Sequence, residues 1–329
     1  MMRTGRRWVR ALVLMTLLLA ALVAGRMSGG AGVGHFASPA ARARFMAAYE
    51  RAFASLPAPD QTRDIRTPFG TVRVYRFAGP QLAGTPLFLL PGRAAPAPVW
   101  SDLIPALVAE RPVYAIDLLG EPGLSIQDTP ITSDADQAAW LHAVLTQLPE
   151  SEVHVVGLSI GGWTAMNLAV RQPERIASLT LIEPVFVFAP MRLEAIVRSI
   201  PASVPWFPKS WRDGFNSWTA GGAPVTGEPV AQMIEAGMQT YRLSLPVPGL
   251  IDEERMKALP IPTLVILAGS SPMHDSQAAA DTARRVLRQG TVKVYPGTSH
   301  AITGERPADI VADIDGHVRM ARPPASRES

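Results

Sequence analysis

Beyond residue 70 the chain alternates between two kinds of hydrophobic pattern. Short apolar runs at Thr71–Arg76, Pro86–Leu90, Val113–Asp117, Val153–Gly157, Leu179–Ile182, Thr263–Leu267 and Thr291–Tyr295 predict strands. Between them, apolar positions recur every three or four residues, which predicts helices near Val99–Ala109, Asp134–Gln147, Ile160–Arg171, Ser276–Arg288 and Pro307–Met320. Strands that are apolar along most of their length, each followed by a helix, imply an α/β fold: a mainly parallel sheet with helices flanking both faces. One further helix precedes this series, Ala40–Ser55, with Phe45, Tyr49 and Phe53 four residues apart on one face.

One interval interrupts the alternation. Residues 184–260 are rich in proline and carry Trp206, Trp211 and Trp218. A structureless loop of that length is improbable inside a compact domain, so the interval predicts a small helical lid inserted after the 179–182 strand. An ordinary extension of the core is the plainer alternative. The expected layout is a core of residues 40–183 and 261–322, a lid at 184–260, and a Gly-rich linker at 27–39.

Residues 1–26 stand apart. Arg3, Arg6, Arg7 and Arg10 precede an unbroken apolar run from Ala11 to Gly25, closed by Arg26. A basic flank followed by an apolar stretch of this size is the pattern of a secretory signal peptide. Val23-Ala24-Gly25 is only a passable cleavage site, so an N-terminal membrane anchor fits as well; a buried helix of the domain is the third reading. Arg6-Arg7 suggests twin-arginine export, but the residues after it fit that signal poorly. The expectation is an exported or membrane-anchored protein of the cell envelope, its domain facing outward and the segment itself meeting the membrane.

The same segment explains the charge. The sequence holds 31 basic and 28 acidic residues, but five of the basic ones lie in the first 26 positions, where no acid occurs. The remainder is slightly acidic, which argues against nucleic acid as a partner. The absence of cysteine excludes disulfides, cysteine nucleophiles and thiolate metal sites.

The chemistry concentrates in Val153–Ala165, VHVVGLSIGGWTA. Gly157-Leu158-Ser159-Ile160-Gly161 is a G-x-S-x-G sequence between a predicted strand and a predicted helix, the context of a nucleophile elbow. The turn is so sharp that residues two before and two after the serine must be very small, and the serine backbone is strained. The hydroxyl is a poor nucleophile until a base takes its proton. Of the six histidines, His35 lies in the linker, His142 and His317 on helices, and His154 within the strand before Ser159. His274 sits in a loop and stays open as an alternative base from sequence alone. His300 follows the last predicted strand in YPGTSHAITGERP, at the sheet end where Ser159 emerges, and is the expected base. No His/Asp cluster has ligand spacing, so no metal or cofactor is implied.

From Thr71 to Met320 the chain resembles the α/β-hydrolase superfamily, in particular its lid-bearing serine esterases. The likeness rests on LFLLPGR before residue 94, YAIDLLGEPGLS (114–125), VVGLSIGGWTAMNLA (155–169) and PGTSHAI (296–302). In the second segment Asp117, Gly120, Gly123 and Ser125 would shape a loop rather than react. The resemblance implies an oxyanion hole made by the backbone N–H groups of Ile160 and Arg93. The family usually has His-Gly before the second donor, whereas this chain has Pro91-Gly92, so a side chain that often supports the loop is missing. The acid is open between Glu183, directly after the 179–182 strand, and Asp275, which precedes a helix and suits an N-cap. Relatives commonly place an aspartate a few residues past the 263–267 strand, where this chain has Ser270, Ser271 and Pro272.

The resemblance implies hydrolysis of a carboxylic ester of an apolar, small-to-medium substrate through an acyl-enzyme. The lid tryptophans and Val185–Phe188 would line an apolar pocket or merely pack the lid. Hydrolysis of a carbon–carbon bond or a thioester is possible on the same scaffold, and a membrane-tethered binding protein without turnover is the reading from another class, favoured by the missing aspartate.

Overall fold

A computed structural model describes residues 32–78, 84–203, 209–223 and 227–321. The basic and apolar segment at 1–26 and Trp206 lie outside those residues. The chain enters through a short strand β1 (His35–Phe36) and helix α1 (Pro39–Phe53). Ser38 caps α1 by accepting the Ala41 amide, and Pro39 takes a first-turn position where a missing N–H costs nothing. An antiparallel hairpin follows, β2 (Gln61–Thr67) and β3 (Gly70–Phe77), and then β4 (Leu87–Leu90) enters the core.

After β4 come a 3₁₀ turn (Ala97–Trp100), α2 (Ile104–Leu107), β5 (Val113–Ile116), β6 (Ile126–Gln127), α3 (Asp134–Leu145), β7 (Val153–Leu158), α4 (Ile160–Ala169) and β8 (Ile176–Ile182). The next stretch is mostly helical: α5 (Leu193–Ser203), α6 (Lys209–Thr219), α7 (Pro229–Thr240), β9 (Tyr241–Arg242) and α8 (Glu253–Lys257). The chain returns to the sheet with β10 (Thr263–Ala268), α9 (Ser276–Val286) and β11 (Gly290–Tyr295), and closes with α10 (Ile302–Glu305) and α11 (Pro307–Ala321).

Among the described residues the main sheet has nine strands in the order β11-β10-β8-β7-β4-β5-β3-β2, with β6 paired to β3. From β11 to β5 every pairing is parallel; β3 is antiparallel to β5, β2 and β6. This is the α/β-hydrolase fold with its mostly parallel sheet. Alternate side chains of the parallel strands divide between two cores. Phe88, Leu90, Tyr114, Ile116, Val265 and Leu267 pack with Trp140, Trp163 and Ala280 on the face of α3, α4 and α9. Leu87, Leu89, Val113, Ala115, Leu264 and Ile266 pack with Trp100, Ile104, Ile310 and Ile314 on the face of α2 and α11. Each such fully buried side chain contributes about 1.5–3 kcal/mol of transfer free energy, which holds the strand ends in fixed register.

Three departures from the expected pattern have local causes. β2 (QTRDIRT) escapes a hydrophobic reading because it is an edge strand, and of its residues only Ile65 and Thr67 are buried. The helix expected over 99–109 splits in two, since Pro98 and Pro105 each remove a backbone donor. Within the segment expected as linker, β1 pairs with β9, and the helix after it, α1, packs on α7, where Phe45, Tyr49 and Ala52 meet Met233 and Ala236. The N-terminal helix is thus joined to the helices inserted between β8 and β10 as well as to the core.

Candidate active site

The parallel strands all end on one edge of the sheet, and the register decides which residues meet there. Leu90 pairs with Gly157, Leu158 with Ile182, and Ile182 with Ile266. Ser159 and Glu183 therefore leave the sheet side by side, with the β10 end next to them. The Ser159 amide donates to the Ile182 carbonyl at 2.9 Å and the Glu183 amide to that of Ile266 at 2.8 Å.

Ser159 has φ 53° and ψ −115°, a strained conformation for a residue with a side chain. The flanking glycines are required because backbone fills the space that a side chain at either would need. A Cβ on Gly157 would stand 2.4 Å from the Gly161 carbonyl oxygen, and one on Gly161 would stand 2.2 Å from that of Leu90. The elbow is pressed against the end of β4 as much as against itself.

His300 sits past β11 in a turn tied down by Glu305. The Glu305 carboxylate accepts the Ser299 amide at 2.9 Å and the Ser299 hydroxyl, and that hydroxyl accepts the Ala301 amide. Sequence reasoning did not find Glu305; a carboxylate five residues after the histidine, in a Gly/Ser turn, was the available signal. The result places His300 Nε2 3.0 Å from Ser159 Oγ and Nδ1 2.9 Å from Glu183 Oε2.

Glu183 is fully buried, with φ 48°. Its Oε1 accepts the Ala268 amide at 2.7 Å, and its Oε2 accepts the Ser271 hydroxyl at 2.6 Å as well as the His300 contact. Burial alone would raise this carboxyl, but the His300 hydrogen bond and charge, with the Ser271 hydroxyl, outweigh it and hold the group below the usual glutamate range. Ser271, one of the residues occupying the place where an aspartate was expected, thus serves Glu183 instead. Asp275 is elsewhere in role and environment. It is exposed and caps α9, accepting the Ala278 amide at 3.0 Å. Of the two candidate acids, the fold brings Glu183 to His300 and leaves Asp275 at a helix start.

The other histidines fall away from Ser159. His154 is buried in β7 with Nδ1 2.8 Å from Ser178 Oγ. His274 is buried too, Nε2 3.5 Å from Glu183 Oε1, and burial lowers its basicity so that the neutral form prevails beside the carboxylate.

The two expected oxyanion donors, the Ile160 and Arg93 amides, lie on the two loops that meet at Ser159. Ile160 opens α4, where its N–H has no intrahelical partner. Gly92 brings the β4 loop in close: a Cβ there would sit 3.7 Å from Ser159 Cβ. The Arg93 amide follows in that loop, and a small cavity of about 20 Å³ touches both Arg93 and Ile160. Trp140, Trp163 and Leu245 form its apolar walls, so the core and the 245–248 segment line it rather than Trp211 or Trp218. Trp211 is exposed, and Val185, Val187 and Phe188 are buried in the core. Asp117 and its neighbours shape the adjacent loop as expected. Asp117 accepts the Ala97 and Leu124 amides at 2.9 and 2.7 Å and the Tyr49 hydroxyl, and its carbonyl accepts the Ser125 hydroxyl. Among the described residues no three His, Asp or Glu side chains converge as metal ligands would.

Residues 87–314 match the Alpha/beta hydrolase family. The chain belongs to that family. This hydrolase is 24% identical over 271 residues to the uncharacterised carboxylesterase nap of Bacillus subtilis (strain 168), spanning 80% of this chain and 88% of that one. It is 23% identical to the carboxylesterase YbfK of the same organism, over 83% of this chain and 92% of the relative. The crystal structure of carboxylesterase CesB (YbfK) from Bacillus subtilis superposes on the hydrolase with a TM-score of 0.77 at 20% identity, covering 84% of this chain and 98% of the other. The fold is therefore shared along nearly the whole of that protein.

Proposed function

We propose that this hydrolase is a serine esterase that cleaves a carboxylic ester of an apolar, small-to-medium substrate through an acyl-enzyme. The observation that carries the reading is the relay Ser159–His300–Glu183, with contacts of 3.0 and 2.9 Å at the edge where the strands end. Its similarity to proteins named carboxylesterases supports the choice of bond.

Ser159 Oγ attacks the ester carbonyl carbon while its proton passes to His300 Nε2. The carbonyl oxygen becomes an oxyanion and takes hydrogen bonds from the Ile160 and Arg93 amides, where the start of α4 also favours negative charge. His300 then returns the proton to the alkoxide as the carbon–oxygen bond breaks. Water, deprotonated by the same nitrogen, attacks the acyl group and releases the carboxylic acid, restoring Ser159. Glu183 accepts the Nδ1–H throughout, which keeps Nε2 unprotonated toward the serine and stabilises the imidazolium. The apolar walls from Trp140, Trp163 and Leu245 favour an apolar acyl or alcohol group.

The reading of a binding protein without turnover rested on a missing acid, and Glu183 removes that motive. Labelling by a fluorophosphonate probe tests the proposal. Wild type should react at Ser159 and hydrolyse p-nitrophenyl esters, and Ser159→Ala at unchanged fold should do neither; an active Ser159→Ala variant refutes it. A substrate panel including thioesters and C–C cleavage substrates tests the choice of bond. For location, the arginines and the apolar run of residues 1–26 support export or membrane attachment, with the domain outward. Among the described residues no helix is long and apolar enough to cross a membrane. Fractionation of cells making the full chain, with and without residues 1–26, decides that point.

A further inference from the structure

The loop after β4 lacks the supporting side chain that Pro91 displaces, yet its backbone is held in an unfavourable shape. Ala94 has φ 52°, a left-handed conformation that costs a residue bearing a Cβ and persists only where neighbours enforce it. The enforcing contact comes from a different loop. Glu121, four residues past Asp117 and almost fully buried, accepts the Ala94 amide on Oε2 at 3.2 Å. Its own amide bonds back to the Leu118 carbonyl at 3.3 Å, so the carboxylate projects from a closed turn. On the far side α7 presses in: a Cβ on Gly237 would meet Pro122 at 2.9 Å and the Ala94 carbonyl at 3.3 Å.

The other carboxylate oxygen is the less ordinary one. Glu121 Oε1 is buried and accepts no hydrogen bond, and the Arg93 guanidinium stands 3.5 Å from it. Buried carboxylate oxygens are almost always hydrogen-bonded, so this one calls for a reason. Glu121, Arg93 and Ile160 all line one 20 Å³ cavity, the two last being the residues whose amides would receive the oxyanion. A bare carboxylate there would oppose the charge that develops in the transition state. The arginine side chain offsets it, while the carboxylate does its work on the backbone.

We propose that Glu121 is a positioning residue for the oxyanion hole: by accepting the Ala94 amide it fixes the Gly92–Ala94 turn and aims the Arg93 N–H at the developing oxyanion. In this role Glu121 acts through the loop rather than on the reacting atoms. This rests on the esterase reading, and it adds a residue to that site on a further loop, after β5, beyond those bearing the nucleophile, the base, the acid and the Arg93 amide.

The acceptor, not the charge, is the feature that matters, and this separates the proposal from a general structural role. Glu121→Gln keeps an oxygen for the Ala94 amide; Glu121→Ala removes it. With p-nitrophenyl butyrate, Glu121→Ala should lower kcat by about 30- to 100-fold, somewhat less than outright loss of an oxyanion-hole donor. KM should stay within about threefold, since the ground-state carbonyl uses the hole weakly. Affinity for an alkyl boronic acid, which forms a tetrahedral anion on Ser159, should weaken by the same factor as kcat/KM. Glu121→Gln should retain at least about a third of wild-type kcat. If Glu121→Ala does not fold, Glu121→Met, which fills the volume without an acceptor, carries the same expectation. Wild-type kcat in either acceptor-free variant, a loss confined to KM, or Glu121→Gln as impaired as Glu121→Ala overturns the proposal while the esterase reading stands. A wild-type protein that neither labels nor turns over overturns both.

Discussion

Replacing Glu183 by glutamine tests the relay with almost no change of shape. The consequence can be worked out from the partners of the two carboxylate oxygens. Oε1 accepts the Ala268 amide at 2.7 Å, and Oε2 faces His300 Nδ1 at 2.9 Å and the Ser271 hydroxyl at 2.6 Å. The Ala268 N–H can only donate, so the glutamine oxygen must occupy the Oε1 place; the reverse orientation would set donor against donor in a buried site, at a cost of about 1–3 kcal/mol. The amide NH₂ then points at Nδ1 and donates to it. His300 is driven into the tautomer with its proton on Nε2, and that nitrogen can no longer take the Ser159 proton. The expected loss is about 10⁴-fold in kcat, equivalent to about 5.5 kcal/mol of transition-state stabilisation. The assay is steady-state hydrolysis of p-nitrophenyl butyrate, with circular dichroism and thermal melting to show that the fold survives. A Glu183→Gln protein that folds and retains a tenth of wild-type kcat refutes this assignment of the acid.

The remaining predictions separate catalysis from architecture. Asp275→Ala should leave kcat within about twofold and cost about 1 kcal/mol in urea unfolding, the worth of an N-cap; a large activity loss at full stability would return Asp275 to the relay. Gly161→Ala should cost at least about 3 kcal/mol or prevent soluble folding, because its Cβ would stand 2.2 Å from the Leu90 carbonyl oxygen with backbone on both sides; an active, stable variant would contradict the elbow packing. Asp117 is pushed up to about 6 by burial, against the pull of the Ala97 and Leu124 amides. A pKa raised on folding means that the bound proton favours the folded state. Its contribution is full below the ordinary aspartate value of about 3.9 and is lost as pH rises through about 6, on the order of 3 kcal/mol over the window. Unfolding free energies of wild type and Asp117→Asn should therefore shift relative to each other in favour of wild type as pH falls from 7.5 to 4.5; a constant difference would show that Asp117 does not titrate there.

Much of the site was legible because its residue types are forced locally. The G-x-S-x-G segment between a strand and a helix allows little other than an elbow, and strand order along the chain put His300 at the same sheet edge as Ser159. The two candidate acids differed in a way that spacing alone could not resolve. Glu183 and Asp275 both follow strands that end at that edge, and what separates them is that β10 lies directly beside β8, so that the Ala268 amide and Ser271 close on Glu183 while Asp275 turns outward to cap α9. β2 stayed hidden because an edge strand needs little apolar surface.

The sequence by itself determined the alternating strands and helices, the elbow and its serine, His300 as the favoured base, and the slightly acidic balance beyond the first 26 residues, since each follows from composition or from spacing along one stretch of chain. Tertiary structure alone decided which carboxylate meets His300, the Glu305 tie behind that histidine and the Glu121 contact with the β4 loop. Each of these joins residues from separate loops, and their distances depend on how neighbouring strands register, which no local pattern encodes.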